Sequence, residues 1–378
     1  MDIPERNKML DIIKCDLCGS EDFDKLYKPV GTKRDVDVVI CNACQLVYSD
    51  VKDIPYSREP NPSCDADWGN VRFCKGQRFE SLENDMPTWP TKVLDVGSSR
   101  GHFVRWAKEK LPDAEIVALE PDVRIASCPV DLEFIGERLE DAELPLEYFD
   151  FVYACQTLEH TDSPTKVLQR IFDVMKKGGT LFVEVPNSPQ VLGYPQNTEE
   201  YFIDKHNFHF THHTMRQFLQ KAGFEVLYAR DDILNISVFA TKTGKVIQPE
   251  PDDGNMRELI RQYAENITNN RAKIKSVVGR INDILDTGMK VAFWGANTLM
   301  DLMVKYGGLD PKRVQFLADD YMCECIESLH GIPIHSSQDF RVFQPETLII
   351  LARFNGEIMA EKARGFGIRN IIKFVDLL

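Results

Sequence analysis

No stretch of this 378-residue chain approaches the run of apolar residues that a membrane span requires, at least ~18 of them. The opening MDIPERNKML is charged and lacks the apolar segment that directs export. A cytosolic protein is expected. Positive charge is also short: 45 Lys and Arg face 59 Asp and Glu, a net charge of −14. Such a surface repels phosphate backbones, which argues against a nucleic-acid substrate. Low-complexity segments and internal repeats are missing as well. A reducing compartment disfavours a disulfide framework, so the ten cysteines are expected to be metal ligands or free thiols. What the chain has is 43% hydrophobic residues, enough for a core in each of two or three domains.

Cysteine spacing separates ligands from bystanders. Cys15-x2-Cys18 and Cys41-x2-Cys44 are matched pairs with 22 residues between them, whereas Cys64, Cys74, Cys128, Cys155, Cys323 and Cys325 have no such partners. Two CxxC turns let four thiolates converge tetrahedrally on one structural zinc, leaving no position for a catalytic water. The flanking sequence is too poor in apolar residues to fold alone, so metal is expected to stabilise it.

The chain divides into a zinc-binding segment (1–58), a strand–helix alternating domain (59–245), a helical connector (246–288) and a second, smaller α/β domain (289–378). A Pro-rich and aromatic bridge with a helix around Phe73–Glu83 leads into the alternation KVLDVG, helix 102–110, EIVALE, LEFIG, FDFVYA, helix 164–175 and TLFVEVP. That order predicts a parallel sheet covered on both faces. A helix capped by Thr211 and ended by Gly223, then the hairpin FEVLYARDD and ISVFATK, completes it. Met256, Leu259, Tyr263, Ile267, Ile274, Val278, Ile281 and Leu285 form one apolar stripe, expected as a connector helix rather than a dimerising coiled coil. From Met289 a Rossmann-like unit follows: KVAFWGAN, VQFLADD, GIPIH, TLIILAR and NIIKFV with helices between.

The first strand of the alternation runs into Asp95-Val96-Gly97-Ser98-Ser99-Arg100-Gly101-His102-Phe103. Glycines where a strand turns into a helix let backbone approach a ligand, and the helix start offers free N–H groups. Glu120, followed by Pro121, ends the next strand 19 residues after Gly101, where a carboxylate can take both ribose hydroxyls. A nucleoside-containing ligand is expected.

With Asp-x-Gly-x3-Gly in place of GxGxxG, this loop resembles that of the class I S-adenosylmethionine-dependent methyltransferases. The likeness continues through GERLEDAELPLEYFDFVYACQTLEHTDSPTKVLQRIFDVMKKGGTLFVEVPN. It implies a seven-stranded Rossmann-like domain. It further implies that Gly97 and the neighbouring backbone of Asp95, Ser98, Gly101, His102 and Phe103 hold the methionine part of S-adenosylmethionine. Glu120 with Pro121 would hold the ribose, Arg138 and Leu139 the adenine edge, and Gln156 the amino end. Family members often carry glycine where Ser99 stands.

Zinc knuckles, methyltransferase domain, long helix and Rossmann-like domain in that order resemble the sugar C-methyltransferases that act on nucleotide-linked keto-deoxysugars. The resemblance implies a small, sugar-type acceptor, with the last domain either helping to hold it or serving structure alone. The matching catalytic stretch, His-Glu-His-x-x-Tyr-Phe-Ser, reads Asp204-Lys205-His206-Asn207-Phe208-His209-Phe210-Thr211 here. Carbon methylation needs a base and an enolate-stabilising group. Without the first His, the Glu and the Tyr, methylation on oxygen or nitrogen is the expectation, with His206, or else His209, as the base. His160 in Leu-Glu-His is expected to be architectural, and a metal among the clustered histidines is an alternative. A noncatalytic S-adenosylmethionine sensor and a zinc-ribbon RNA methyltransferase are the competing readings.

Overall fold

The computed structural model describes residues 14–29, 36–50, 82, 84–86, 89–99, 101–122, 132–194, 200–202, 206–231, 234–250, 254–352 and 355–377. The expected bridge helix around Phe73–Glu83 lies almost wholly outside them. The chain forms two units: one contains the N-terminal sheet, Asp85–Gly193 and Tyr201–Gln262, and the other Tyr194, Glu200 and everything from Tyr263.

In the first unit, β1 (Phe23–Tyr27), β2 (Asp37–Cys41) and β3 (Val47–Asp50) form an antiparallel meander. The large sheet follows with β4 (Lys92–Val96), helix α1 (His102–Lys110), β5 (Glu115–Leu119), β6 (Glu133–Ile135), β7 (Phe149–Cys155), α2 (Pro164–Val174) and β8 (Met175–Pro186). A two-residue strand, β9 (Phe208–His209), precedes α3 (His212–Lys221), β10 (Phe224–Asp231) and β11 (Asn235–Lys242). The seven strands order as β10-β11-β8-β7-β4-β5-β6, parallel except for β11, which is antiparallel to both β8 and β10. Val93, Leu94, Val117, Val152 and Leu181 are wholly or almost wholly buried, as strands covered on both faces require. Strand β4 pairs with β5 on one side and β7 on the other, so the order reverses there and opens a crevice at the strands' carboxyl ends.

The N-terminal meander is no appendage. Its β3 pairs with β9, Val47 opposite His209 and Tyr48 opposite Phe208, and Cys15, Leu17, Cys41 and Leu46 share one core with Leu94, Val152 and Leu181. The chain just before and within β9 is thereby fixed from outside its own domain.

The stripe beginning at Met256 forms a single 31-residue helix, α4 (Met256–Asp286). Within the second unit its Ile274, Val277, Val278 and Ile281 are buried against Val291, Phe293 and Ile349. The sheet there comprises β12 (Val291–Trp294), β13 (Leu317–Ala318), β14 (Ser328–Leu329), β15 (Ile332–His335), β16 (Thr347–Ile350) and β17 (Ile371–Lys373), ordered β14-β15-β13-β12-β16-β17 and parallel except for the β14–β15 pair.

Candidate active site

The loop after β4 closes on itself through backbone. Gly97 and Ser98 both donate to the Leu119 carbonyl, at 2.9 and 2.8 Å, which ties the turn to the end of β5. Gly97 has φ +78°, and a Cβ there would lie 2.7 Å from Thr157 Oγ1, so the position admits only glycine without strain. Thr157 is itself held by a 2.9 Å bond to the Val96 carbonyl. Ser99 takes φ +46°, the left-handed conformation a glycine adopts freely. Its N–H donates to Glu120 Oε2 at 2.9 Å, and the Asp122 N–H to Oε1 at 2.9 Å. Glu120, buried, therefore faces the turn across the crevice, with the exposed Pro121 beyond it.

Gly101, at φ +70°, is the N-cap of α1; it offers no side-chain hydrogen bond, and no acidic residue stands in the first turn. His102 bonds Arg105 through Nδ1 at 3.1 Å. Phe103 is buried and stacks on Tyr153 at 3.9 Å, supporting the loop from beneath. Asp95 is also buried; burial, then the nearby Glu120 charge, pushes its carboxyl well above the usual range, and Oδ2 has no hydrogen-bond partner. Two adjacent buried carboxylates beside a glycine turn suit a ligand that brings positive charge together with a ribose, as S-adenosylmethionine does.

On the crevice's other side, Arg138 pairs with Asp162 at 2.7 Å and Leu139 is buried. Gln156 has φ +52°, and its amide reaches Glu184 Oε1 at 3.3 Å and Asn235 Oδ1 at 3.1 Å. Strained backbone at Ser99 and Gln156 brackets the ends of β4 and β7, where ligands of this architecture sit.

Beyond Gln156 the helical turn Leu158–His160 carries Glu159, fully buried, and His160, whose ring meets that of His206 edge-on with centroids 4.8 Å apart. Tyr201 lies 6.4 Å from the His206 ring and donates or accepts a 2.7 Å bond with Ser188. Burial pushes its phenol up, and Glu159 adds to the shift. The His206 backbone is braced by Ser49 Oγ, 3.1 Å from its carbonyl, while Asn207 donates to the Glu159 carbonyl at 2.7 Å. His209 stands apart: it is 1% exposed, neither ring nitrogen has a partner, and burial lowers it to about 3. It is packed against Phe202 and Tyr201 at 4.7 and 5.4 Å. Glu159, His160 and Tyr201 thus join His206, residues to which sequence reasoning assigned no chemical role. The available signal was position, since Leu-Glu-His directly follows a parallel strand at its carboxyl end.

Cys15, Cys18, Cys41 and Cys44 form the second cluster, with all four sulfurs within 4.8 Å of one another and the pairs Cys15–Cys44 and Cys18–Cys41 at 3.5 Å. Tetrahedral zinc with ~2.3 Å bonds sets sulfurs about 3.8 Å apart, so the donors fit that ion. As thiols they conflict: hydrogen bonds from Cys15 and Cys44 hold Cys41 down, while Cys15 and Cys41 push Cys44 well up. Asp16, inside the first CxxC, accepts from Ser163 Oγ at 2.5 Å and the Thr165 N–H at 2.9 Å, which locks the knuckle onto the start of α2.

Residues 73–229 match the family model for a methyltransferase domain, and residues 239–374 that for a C-methyltransferase C-terminal domain. The chain is 29% identical over 135 residues to the tRNA U34 carboxymethyltransferase of Desulfotalea psychrophila, covering 33% of this chain and 40% of that protein. It is 27% identical over 136 residues to methyltransferase str3 of Strobilurus tenacellus, covering 34% and 48%. These matches span less than half the length of either relative. A solved S-adenosylmethionine-dependent methyltransferase from Mesorhizobium loti superposes at TM-score 0.38 with 15% identity, over 45% of this chain and 99% of that one. One from Archaeoglobus fulgidus does so at 0.37 with 17% identity, over 46% and 98%.

Proposed function

We infer that this chain, with a methyltransferase domain over residues 73–229, a C-methyltransferase C-terminal domain behind it and a four-cysteine cluster before it, transfers a methyl group from S-adenosylmethionine. We propose that it methylates carbon next to the carbonyl of a small, sugar-type acceptor. The observation that carries this is the match of residues 239–374 to the C-methyltransferase C-terminal domain. The expectation of oxygen or nitrogen methylation rested on the His, Glu and Tyr missing around His206. Glu159, His160 and Tyr201 reach His206 from elsewhere in the chain, which supports carbon instead.

In this reading the backbone of Gly97, Ser98 and Gly101, with Asp95 and Gln156, holds the donor's methionine end. Glu120 takes the ribose, and Arg138 and Leu139 border the adenine. The donor, when bound, supplies an electrophilic methyl on sulfonium sulfur. His206 removes the acceptor's proton, and His160 hydrogen-bonds the oxygen on which negative charge develops. His209, neutral and enclosed, serves packing. Zinc on the four cysteines is structural, and residues 1–58 and 289–378 flank the catalytic part as stabilising and acceptor-holding segments. An RNA acceptor, the class named for the Desulfotalea relative, is disfavoured by the net charge of −14.

The test is a panel of nucleotide-linked keto and hydroxy sugars with labelled donor, run beside deuterium exchange in heavy water with S-adenosylhomocysteine in place of the donor. Label on keto acceptors alone, with enzyme-dependent exchange at the adjacent carbon, is expected. Methylation of acceptors that have no carbonyl would overturn it.

A further inference from the structure

Glu184, near the carboxyl end of β8, is 2% exposed, yet no step of the proposed reaction uses it. Ser237 donates Oγ to its Oε2 at 2.8 Å, and Gln156 donates Nε2 to its Oε1 at 3.3 Å. The same nitrogen donates to Asn235 Oδ1 at 3.1 Å. We infer that Glu184 is a positioning residue for the methyl donor: with Asn235 it holds the nitrogen of the Gln156 amide, so that the amide's carbonyl oxygen is the atom presented to the donor's ammonium group. That role rests on the proposed place of Gln156 at the donor's methionine end, and names what sets the contact.

A side-chain amide has a nitrogen that only donates and an oxygen that only accepts, so its neighbours decide which way it points. A carboxylate only accepts. With the amide reversed, Gln156 Oε1 would stand against Glu184 Oε1 and Asn235 Oδ1, oxygen on oxygen. Even if Asn235 turned its own amide over, the carboxylate would still oppose that oxygen. Both N–H bonds of the Gln156 amide are thus engaged, and among the described residues no donor reaches its Oε1. An ammonium group brings three N–H donors and no acceptor, which complements the oxygen and not the nitrogen.

The backbone holds Gln156 to the same task. Its N–H donates to the Glu184 carbonyl at 2.8 Å, so one residue grips both its main chain and its side chain, and φ +52° fixes the direction in which that side chain leaves β7. Thr157, the next residue, is the one a Cβ on Gly97 would strike, which places Gln156 beside the turn that takes the methionine part. Cys155, the residue before, has its Sγ 3.7 Å from Glu184 Oε1. A buried carboxylate behind the amide also polarises it, which strengthens the bond its oxygen accepts from a cation.

The probes are S-adenosylhomocysteine, which carries the ammonium group, and methylthioadenosine, which shares the nucleoside and thioether but lacks the amino-acid chain, each titrated by calorimetry into the full-length protein. Glu184→Leu and Gln156→Leu should each weaken S-adenosylhomocysteine by ~10-fold or more, as loss of a hydrogen bond to a charged group does. The double variant should match Gln156→Leu within about twofold, because both changes remove one contact. Glu184→Gln, whose amide oxygen can still accept from Gln156, should recover most of the loss. Methylthioadenosine should bind every variant as it binds wild type, which a general loss of structure would not allow. Unaltered S-adenosylhomocysteine binding in Glu184→Leu, beside a loss in Gln156→Leu, overturns the positioning role and leaves Gln156 at the ammonium group. Unaltered binding in both removes Gln156 from that place and the role of Glu184 with it. A parallel loss of methylthioadenosine, or losses that multiply in the double variant, also overturns the role, since Glu184 then acts on the fold or independently of Gln156.

Discussion

Each unit turns out of its central strand through a glycine, and the two turns are built alike yet left in opposite states. After β4, Gly97 donates to Leu119 and Ser99 to the Glu120 carboxylate; after β12, Gly295 donates to the Ala318 carbonyl at 2.8 Å and Ala296 to Asp319 Oδ2 at 3.1 Å. Both glycines have positive φ, +78° and +119°. The difference lies in what fills the turn. In the second unit Asn297 reaches across to the Leu351 carbonyl at 2.8 Å and caps the Leu299 N–H at 3.0 Å, and Asp319 also takes the Tyr321 and Met322 N–H groups. In the first, α1 starts without a cap and Asp95 keeps an unpartnered oxygen. One topology serves as a ligand cradle when its polar groups are left for a guest, and as a structural joint when its own side chains satisfy them.

The largest expected break in that parallel is catalytic. His206→Ala should lower turnover by ~10²–10⁴ with donor affinity intact, whereas His335→Ala in the second unit should leave turnover within about threefold, as steady-state assays would read. A His206 variant as active as wild type from pH 6 to 9 gives the proton to another group.

Next come the glycines themselves. Gly97→Ala places a Cβ against Thr157 and forces a left-handed alanine, about 1–2 kcal/mol of backbone strain alone, so donor binding should largely disappear. Gly295→Ala, whose Cβ would meet Asn297 Nδ2 at 3.0 Å, should lower the melting temperature while calorimetric donor affinity holds. Equal loss of donor binding in both would erase the distinction between cradle and joint.

The carboxylates sharpen it further. Glu120→Ala removes a charge-assisted contact worth about 1.5–3 kcal/mol, at least a ~10-fold loss of donor affinity. Asp319→Ala strips three backbone N–H groups of their acceptor and should cost stability only. Isothermal titration beside denaturant unfolding separates the two outcomes.

The smallest effect at neutral pH is that of His209, which shows only as acid sensitivity. His209 in the folded protein titrates at about 3 against ~6.5 when unfolded, so between those values the unfolded chain binds the extra proton. Stability is complete above ~6.5 and falls with pH below it, by at most ~1.4 kcal/mol per pH unit. Urea titrations from pH 7 to 4 should show that slope reduced in His209→Phe.

The legible part of the site was local in sequence. Cys15-x2-Cys18 and Cys41-x2-Cys44 declare their ligand geometry by spacing, and Asp95 to Phe103 followed by Glu120 declares a strand, a glycine turn and an acidic strand end. Even the departure at Ser99 leaves the turn's shape intact, because the serine adopts the glycine-like φ at a cost in backbone strain. Less legible was the chemistry around His206. Matching that stretch residue by residue found its partners missing, since sequence order does not reveal that Leu158–His160 and Tyr201 lie beside it.

Chain order and residue type by themselves determined the α/β class, the four-cysteine cluster and the glycine turn with its facing carboxylate, because each depends on contacts within a strand, a turn or one βαβ unit. Tertiary structure alone decided that β3 pairs with β9 and so anchors His206, that His209 is enclosed, that Glu159 and His160 meet His206, and that Asn297 fills the second turn. Those outcomes rest on side chains from distant segments competing for one space and one set of hydrogen bonds, and that competition is settled only when the chain is folded.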